Sequence, residues 1–275
     1  MDLKVGYQLN QNRNEEIAAD PATFVTDEIM SIPKKSVVQV HFPARNLTCT
    51  YFNDAYDLHC GDIVYVDGKL EGLRGRVVDV SYSFKIKLSD YKRVIGKADT
   101  DIRGKLYMAD NCFLAFDPAV IPFGKVITWF KAPADPEEEF VSGESGSRFF
   151  LDNLSDMHMR PEIAERGKEY YRNERVVYLC VDGTCGRAIV EGSEPYEVEF
   201  DYDNGKIGNL VCSCFCSYPC KHEFAAMLQL REALYCIEEQ YAGLYGQSGY
   251  FAAVSKAAFF SLVIAGKESG SMVLG

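Results

Sequence analysis

Along the first half of the chain, apolar and polar residues alternate in short runs broken by Gly and Asp. "SVVQVHF" (36–42), "LTCTYF" (47–52), "DIVYV" (62–66), "GRVVDVSY" (75–82) and "FKIKL" (84–88) all have this pattern. Period-two alternation rich in β-branched and aromatic residues predicts strands with one buried face, and their shortness suggests a small barrel or strongly bent sheet. "GKLYMADNCFLAF" (104–116) and "KVITWF" (125–130) predict further strands, and "DPATFVTDEIM" (20–30) a short turn of helix. The period then changes. "RPEIAERGKEYYRN" (160–173) groups Ile163, Gly167, Tyr170 and Tyr171 on one helical side behind Pro161, a favoured first-turn residue. "RVVYLCV", "GRAIVEG" and "YEVEFDY" predict three strands, and Asn204-Gly205 supplies the positive φ values of a tight hairpin that returns the chain as a fourth. Helices are expected from about Cys220 to Tyr241 and from Tyr250 to Ile264, with another strand in the closing "KESGSMVLG".

Between the two halves, "KAPADPEEEFVSGESGSRFF" (131–150) has the Pro, acidic and Gly/Ser composition of a surface linker. The expected organisation is therefore α+β: a β-rich, barrel-like domain over 1–133, a linker over 134–148, and a hairpin-and-helix domain over 149–275. No internal repeat is visible. The abrupt end in a strand suggests a fragment of a longer protein.

Composition narrows the class. In 275 residues, 47% hydrophobic and 25% charged, there is enough apolar material for a real core. The start lacks the basic and apolar regions of a secretory signal, and the most apolar late segment, 250–265, is shorter than the ~20 residues of a membrane span and carries Lys256. A cytoplasmic protein with no membrane partner is expected. The net charge of −11 opposes non-specific attraction to nucleic-acid phosphates, though not a local basic face.

The candidate chemistry lies in "LVCSCFCSYPCKHEFAAML" (210–228). Bunched cysteines beside a histidine, in a chain without a secretory signal, point to metal ligation rather than disulfides. Cys49, Cys60, Cys112, Cys180, Cys185 and Cys236 sit in apolar surroundings that suit small core residues. A structural zinc takes four tetrahedral sulfur and nitrogen donors, and Cys212, Cys214, Cys220 and His222 supply them. Residues two apart in a strand share a face, so Cys212 and Cys214 can converge; on a helix they diverge by about 200°, so Cys220 and His222 must straddle a helix start. Glu223 suits the first turn of that helix.

Cys-x-Cys followed by Cys-x-His, here "CSC" and "CKH", resembles the SWIM zinc finger. The preceding "YY" and the run Val190, Gly192, Ser193, Tyr196, Val198 are similar to the stretch before the finger in bacterial SWIM proteins. The likeness covers roughly Gly167 to Leu228 and implies zinc on Cys212, Cys214, Cys220 and His222. The gap between the pairs is at the short end for that family, and Cys216 stands as an alternative ligand. The family is associated with DNA-linked proteins and with protein contacts.

The stretch from 58 to 97 is faintly similar to small nucleic-acid-binding β-barrels and is locally basic, with Arg74, Arg76, Lys85, Lys87, Lys92 and Arg93 as candidate phosphate contacts and Tyr82, Phe84 and Tyr91 available for stacking. "GKLEGLRG" lacks the Walker spacing, and no nucleophile or acid/base constellation stands out. The expected function is therefore a non-enzymatic protein with a structural zinc and no small-molecule substrate, binding DNA or another nucleic acid through the SWIM-type module and the basic barrel; the alternative is a protein-interaction or scaffolding subunit without nucleic-acid affinity.

Overall fold

The computed structural model describes residues 33–133, 148–214, 216, 219–265 and 273–274. The helical turn expected over 20–30 and most of the linker, 134–147, lie outside these residues. Five strands form the first sheet: β1 (Ser36–Phe42), β2 (Leu47–Asn53), β3 (Ile63–Val66), β4 (Gly75–Ser81) and β5 (Val94–Lys97). They pair antiparallel in the order β2-β1-β4-β3-β5. The Phe52 amide donates to the Lys92 carbonyl at 2.9 Å, which joins β2 to the approach of β5 and bends the sheet towards closure. Val38, Val40 and Phe42, two apart on β1, meet Val64, Val66 and Val77 inside. This is the barrel-like unit that alternation predicts.

The strand expected at 84–88 is absent. That segment crosses as irregular chain into a 3₁₀ turn at Leu88–Asp90, with Lys85 and Lys87 exposed. The place it would take beside β2 is filled by Lys92 and Arg93, and Phe84 instead packs edge-on against Phe52, centroids 6.1 Å apart.

The second sheet holds β6 (Lys105–Met108), β7 (Cys112–Ala115), β8 (Phe149–Phe150), β9 (Val176–Asp182), β10 (Cys185–Glu191), β11 (Pro195–Asp203), β12 (Lys206–Cys212), β13 (Tyr250–Ser255) and β14 (Val273–Leu274). Its order is β14-β6-β7-β13-β9-β10-β11-β12-β8. β6 and β7, placed by sequence in the first domain, thus belong to the sheet of the second half. All four residues of β7 are buried, so it needs cover on both faces, and the position beside β13 provides that. A Pro-, acid- and Gly/Ser-rich run marks a break in regular structure without saying whether the strands around it share a sheet.

Two further expectations change for the same kind of reason. "YFAAVS", expected to open a helix, is β13, buried at every position; Phe251 and Ala253 face one core while Tyr250, Ala252 and Val254 face the other. A strand covered on both sides loses the alternation that distinguishes it from a buried helix. "KVITWF", expected as a strand, lies in helix α1 (Phe123–Phe130), where Val126, Trp129 and Phe130 share the inner side and the Trp129 indole donates to the Asp99 carbonyl at 2.6 Å.

Helices α2 (Pro161–Arg172), α3 (Lys221–Gln240), α4 (Ala242–Ser248) and α5 (Lys256–Phe259), the last running into a π turn at Phe260–Ile264, complete the described elements. One face of the large sheet packs Leu179, Val181 and Phe251 on Ala226, Met227 and Leu230 of α3; the other packs Tyr178, Cys180 and Val254 with Trp129 and Phe259. Of the scattered cysteines, Cys112 and Cys180 are core residues as expected, whereas Cys60 and Cys185 are exposed.

Gly186 on β10 lies opposite Phe200 on β11, and a Cβ there would collide with the Phe200 ring. Gly186→Ala is expected to cost about 1–3 kcal/mol in urea unfolding through this overpacking, while Gly183→Ala, at a turn with open space but a positive φ, reports backbone strain alone.

Candidate metal centre

The hairpin β11–β12 turns at Asn204 (φ 46°) and Gly205 (φ 81°), both in the left-handed region that a two-residue turn of this hand requires. β12 ends at Cys212, paired with Val198. Beyond it the Ser213 amide donates to the Glu197 carbonyl and the Glu197 amide to Ser213 Oγ, each at 2.9 Å, which fixes the turn carrying Cys214. Cys212 and Cys214 therefore converge through a strand end and a pinned turn, rather than as two residues of one strand.

The other two donors sit at the start of α3. Cys220 is the residue before its first turn, with extended backbone (φ −108°, ψ 168°), and His222 is the second helical residue. The Glu223 amide donates to Cys220 Sγ at 3.4 Å, and Glu223 Oε2 accepts from the Cys220 amide at 2.7 Å. This is a capping box with a cysteine in the place usually held by Ser or Thr. It explains how residues two apart reach one point, and it gives Glu223 the first-turn role its position suggests.

The four donor atoms lie within 4.8 Å of one another. His222 Nδ1 is 3.7 Å from Cys212 Sγ and 3.8 Å from Cys220 Sγ. A tetrahedral site with metal–sulfur bonds of ~2.3 Å and metal–nitrogen bonds of ~2.0–2.1 Å has donor–donor edges of roughly 3.5–3.8 Å. The cluster is thus already near the size of a metal-holding tetrahedron, and three soft sulfurs with one imidazole suit an ion such as zinc. Cys220 and His222 are buried; Cys216 is exposed and lies outside the cluster.

Electrostatics follow from the crowding. Hydrogen bonding from Cys212, and then from His222, pulls the Cys220 thiol down, helped by the Glu223 amide at the helix start. The same Cys220 pairing drives Cys212 far up, and burial raises Cys214 to about 12 and Glu223 to about 8. Neighbouring thiols that cannot all ionise together favour a cation in their midst.

The histidine is held by rings. Tyr196 stacks on it with centroids 4.1 Å apart and planes 17° from parallel, and Tyr170 meets it edge-on at 5.4 Å. Among the described residues, His222 Nε2 has no hydrogen-bond partner, so these rings supply the orientation that a carboxylate or carbonyl often gives a ligand histidine. Ser193 Oγ and the Tyr196 hydroxyl are hydrogen-bonded at 2.8 Å, and a Cβ on Gly192 would press into the Tyr196 ring at 2.8 Å. Gly167 lets α2 settle on α3, since a Cβ there would meet Phe224 at 2.9 Å and the Lys221 carbonyl at 3.1 Å. The small and aromatic residues singled out before the cysteines therefore support the cluster. Their role as a histidine clamp, as distinct from core packing, is not legible from spacing alone.

Of the six candidate nucleic-acid contacts, three are committed within the protein. Arg74 bonds Glu191 at 3.2 Å and lies over Phe130; Arg76 donates to the carbonyls of Gly61, Ser261 and Ala265; Arg93 pairs with Asp54 at 2.5 Å over Phe52. Lys85, Lys87 and Lys92 are exposed on the segment before β5. No described helix is long and apolar enough to cross a membrane.

One curated relative adds a point of comparison. An uncharacterized protein of Methanocaldococcus jannaschii is 42% identical over 69 residues, a quarter of this chain. The match spans 29% of that relative's length. No family model and no solved structure matches the chain.

If the rings orient His222, Tyr196→Ala is expected to weaken zinc binding by about 10–100-fold, as loss of a ligand's outer support does, while Tyr196→Phe keeps most of it. Competition with a chromophoric chelator measures both. In the same assay Cys216→Ser is expected to retain binding that Cys212→Ser loses.

Proposed function

We propose that the chain is a non-enzymatic binding protein whose SWIM-type centre holds one zinc ion for a structural purpose. The observation that carries this is the donor set: two ligands from the end of a hairpin and two from a helix start, together filling a tetrahedron. Four protein donors leave no coordination position for a reacting water. The ion's contribution is mechanical, fastening β12 to α3, and the energy of binding it becomes folding energy for the segments that it joins.

The partner we favour is a protein. Arg74, Arg76 and Arg93 already contact the chain's own carboxylates, carbonyls and rings, so half of the basic set would have to give up those contacts to bind phosphate. The second reading, nucleic acid, is supported by the exposure of Lys85, Lys87 and Lys92, with exposed Tyr82 near them in sequence.

Binding a metal requires three thiols and an imidazole to give up their protons, so zinc content is expected to fall as pH is lowered and to recover when it is raised. Chelation at neutral pH, or Cys220→Ser, is expected to abolish the cooperative melting of the hairpin–α3 region; a melting curve unchanged after complete metal removal contradicts the structural role. Partner class is read from salt: binding to a protein through an apolar interface should change little as salt rises, whereas phosphate binding through three lysines should weaken steeply.

A further inference from the structure

A groove of about 540 Å³ opens on the side of α3 away from its buried stripe, bounded by α2, the β11–β12 hairpin and the residues after β8. Its polar lining is mostly acidic: Asp152, Glu232 and Glu238 face a single cation, Arg231. Three tyrosines complete it, Tyr171 from α2, Tyr202 from β11 and Tyr235 from α3. Tyr235 is 67% exposed, the most open of the large apolar side chains among the described residues. Glu232 is held in place, accepting from the Tyr171 hydroxyl at 2.7 Å and from Gln229 at 3.4 Å. Burial raises Tyr202, and the charges of Asp152 and Glu238 push it in the same direction, so both carboxylates bear on the space that Tyr202 borders.

Carboxylates beside tyrosine faces are complementary to a cationic side chain with a long apolar stem. The charge is met by the acids, the cation lies over a ring, and leucines in the lining cover the stem. We propose that this groove docks a lysine- or arginine-bearing segment of a partner protein. The inference rests on the reading of the chain as a protein-binding module and names the chemistry of the partner. Its charge also sets it apart from any phosphate-binding face.

The candidate metal centre and the groove share two helices. α3 carries His222 at its start and Tyr235 about three and a half turns on, and adjacent residues of α2 divide the work: Tyr170 braces His222 while Tyr171 holds Glu232. Both places therefore lie on the same α2–α3 contact.

The test uses the full zinc-loaded chain and a fluorescently labelled peptide of alternating arginine, lysine and leucine, followed by anisotropy at low and moderate salt. The peptide is expected to bind, a glutamate-substituted counterpart not to bind, and Tyr235→Ala and Glu238→Gln each to weaken binding roughly tenfold, the loss expected on truncating a central contact. Glu71→Gln, which removes the same charge from an exposed turn of the first sheet, is expected to change nothing. Absence of binding overturns the proposal, as does equal weakening by Glu71→Gln, which would make the attraction one of net charge. Full competition by spermine would assign the groove to a free polyamine. A dimer that dissociates on Tyr235→Ala would assign it to a second copy of the chain. Preference for a labelled single-stranded DNA at the same residues overturns it too. Zinc content of each variant, measured alongside, separates failure of the groove from failure of the metal reading.

Discussion

Four donor atoms must reach one point from two segments that are otherwise only neighbours, and much of the second half of the molecule follows from that constraint. The hairpin has to end at Cys212, the chain has to turn at once to present Cys214, and α3 has to begin one residue after Cys220. A helix start is the natural place for Cys220. Its sulfur takes the free Glu223 amide when it serves as the cap, and the same amide and helix field favour the thiolate that a metal needs. One side chain thus satisfies the backbone and offers a ligand.

Around this point the packing is arranged to keep the histidine still. Tyr196 and Tyr170 grip the imidazole by its face and edge; a Cβ on Gly192 would collide with the Tyr196 ring, and one on Gly167 would collide with Phe224 where α2 settles on α3. Behind it, α3 lies on a sheet whose central strands, β9 and β13, are buried on both sides. The candidate centre is therefore at the start of the same helix that carries Glu232 and Tyr235. The candidate metal centre and the acidic groove thus lie along one helix.

The parts of this arrangement legible in the sequence are those governed by local chemistry. The Asn204-Gly205 turn, Pro161 at the head of α2, the alternating strands of the first sheet and the ligand spacing each have a physical cause contained within a few residues. The misread parts are those decided at long range. "YFAAVS" is uniformly apolar because it is covered on both faces, and no window of it reveals the neighbour that covers it; "CFLA" forms the strand expected of it, but in the sheet of the second half. "KVITWF" carries strand-favouring residues into a helix because Val126, Trp129 and Phe130 are needed on one buried side. "FKIKL" alternates correctly and still forms no strand, its place beside β2 being taken by Lys92 and Arg93. Arg74, Arg76 and Arg93 look available for phosphate until their partners, far away in sequence or on other strands, are placed beside them. The groove was invisible for the same reason, since its three tyrosines come from two helices and a strand.

The central claim is a closed zinc site of three sulfurs and one nitrogen. X-ray absorption at the zinc edge on the purified full chain tests it most directly. The account predicts about three sulfur neighbours at ~2.3 Å and one nitrogen at ~2.0–2.1 Å, with imidazole scattering beyond the first shell. Four sulfurs, with Cys216 displacing the histidine, or an oxygen neighbour marking an open position for water, would contradict it.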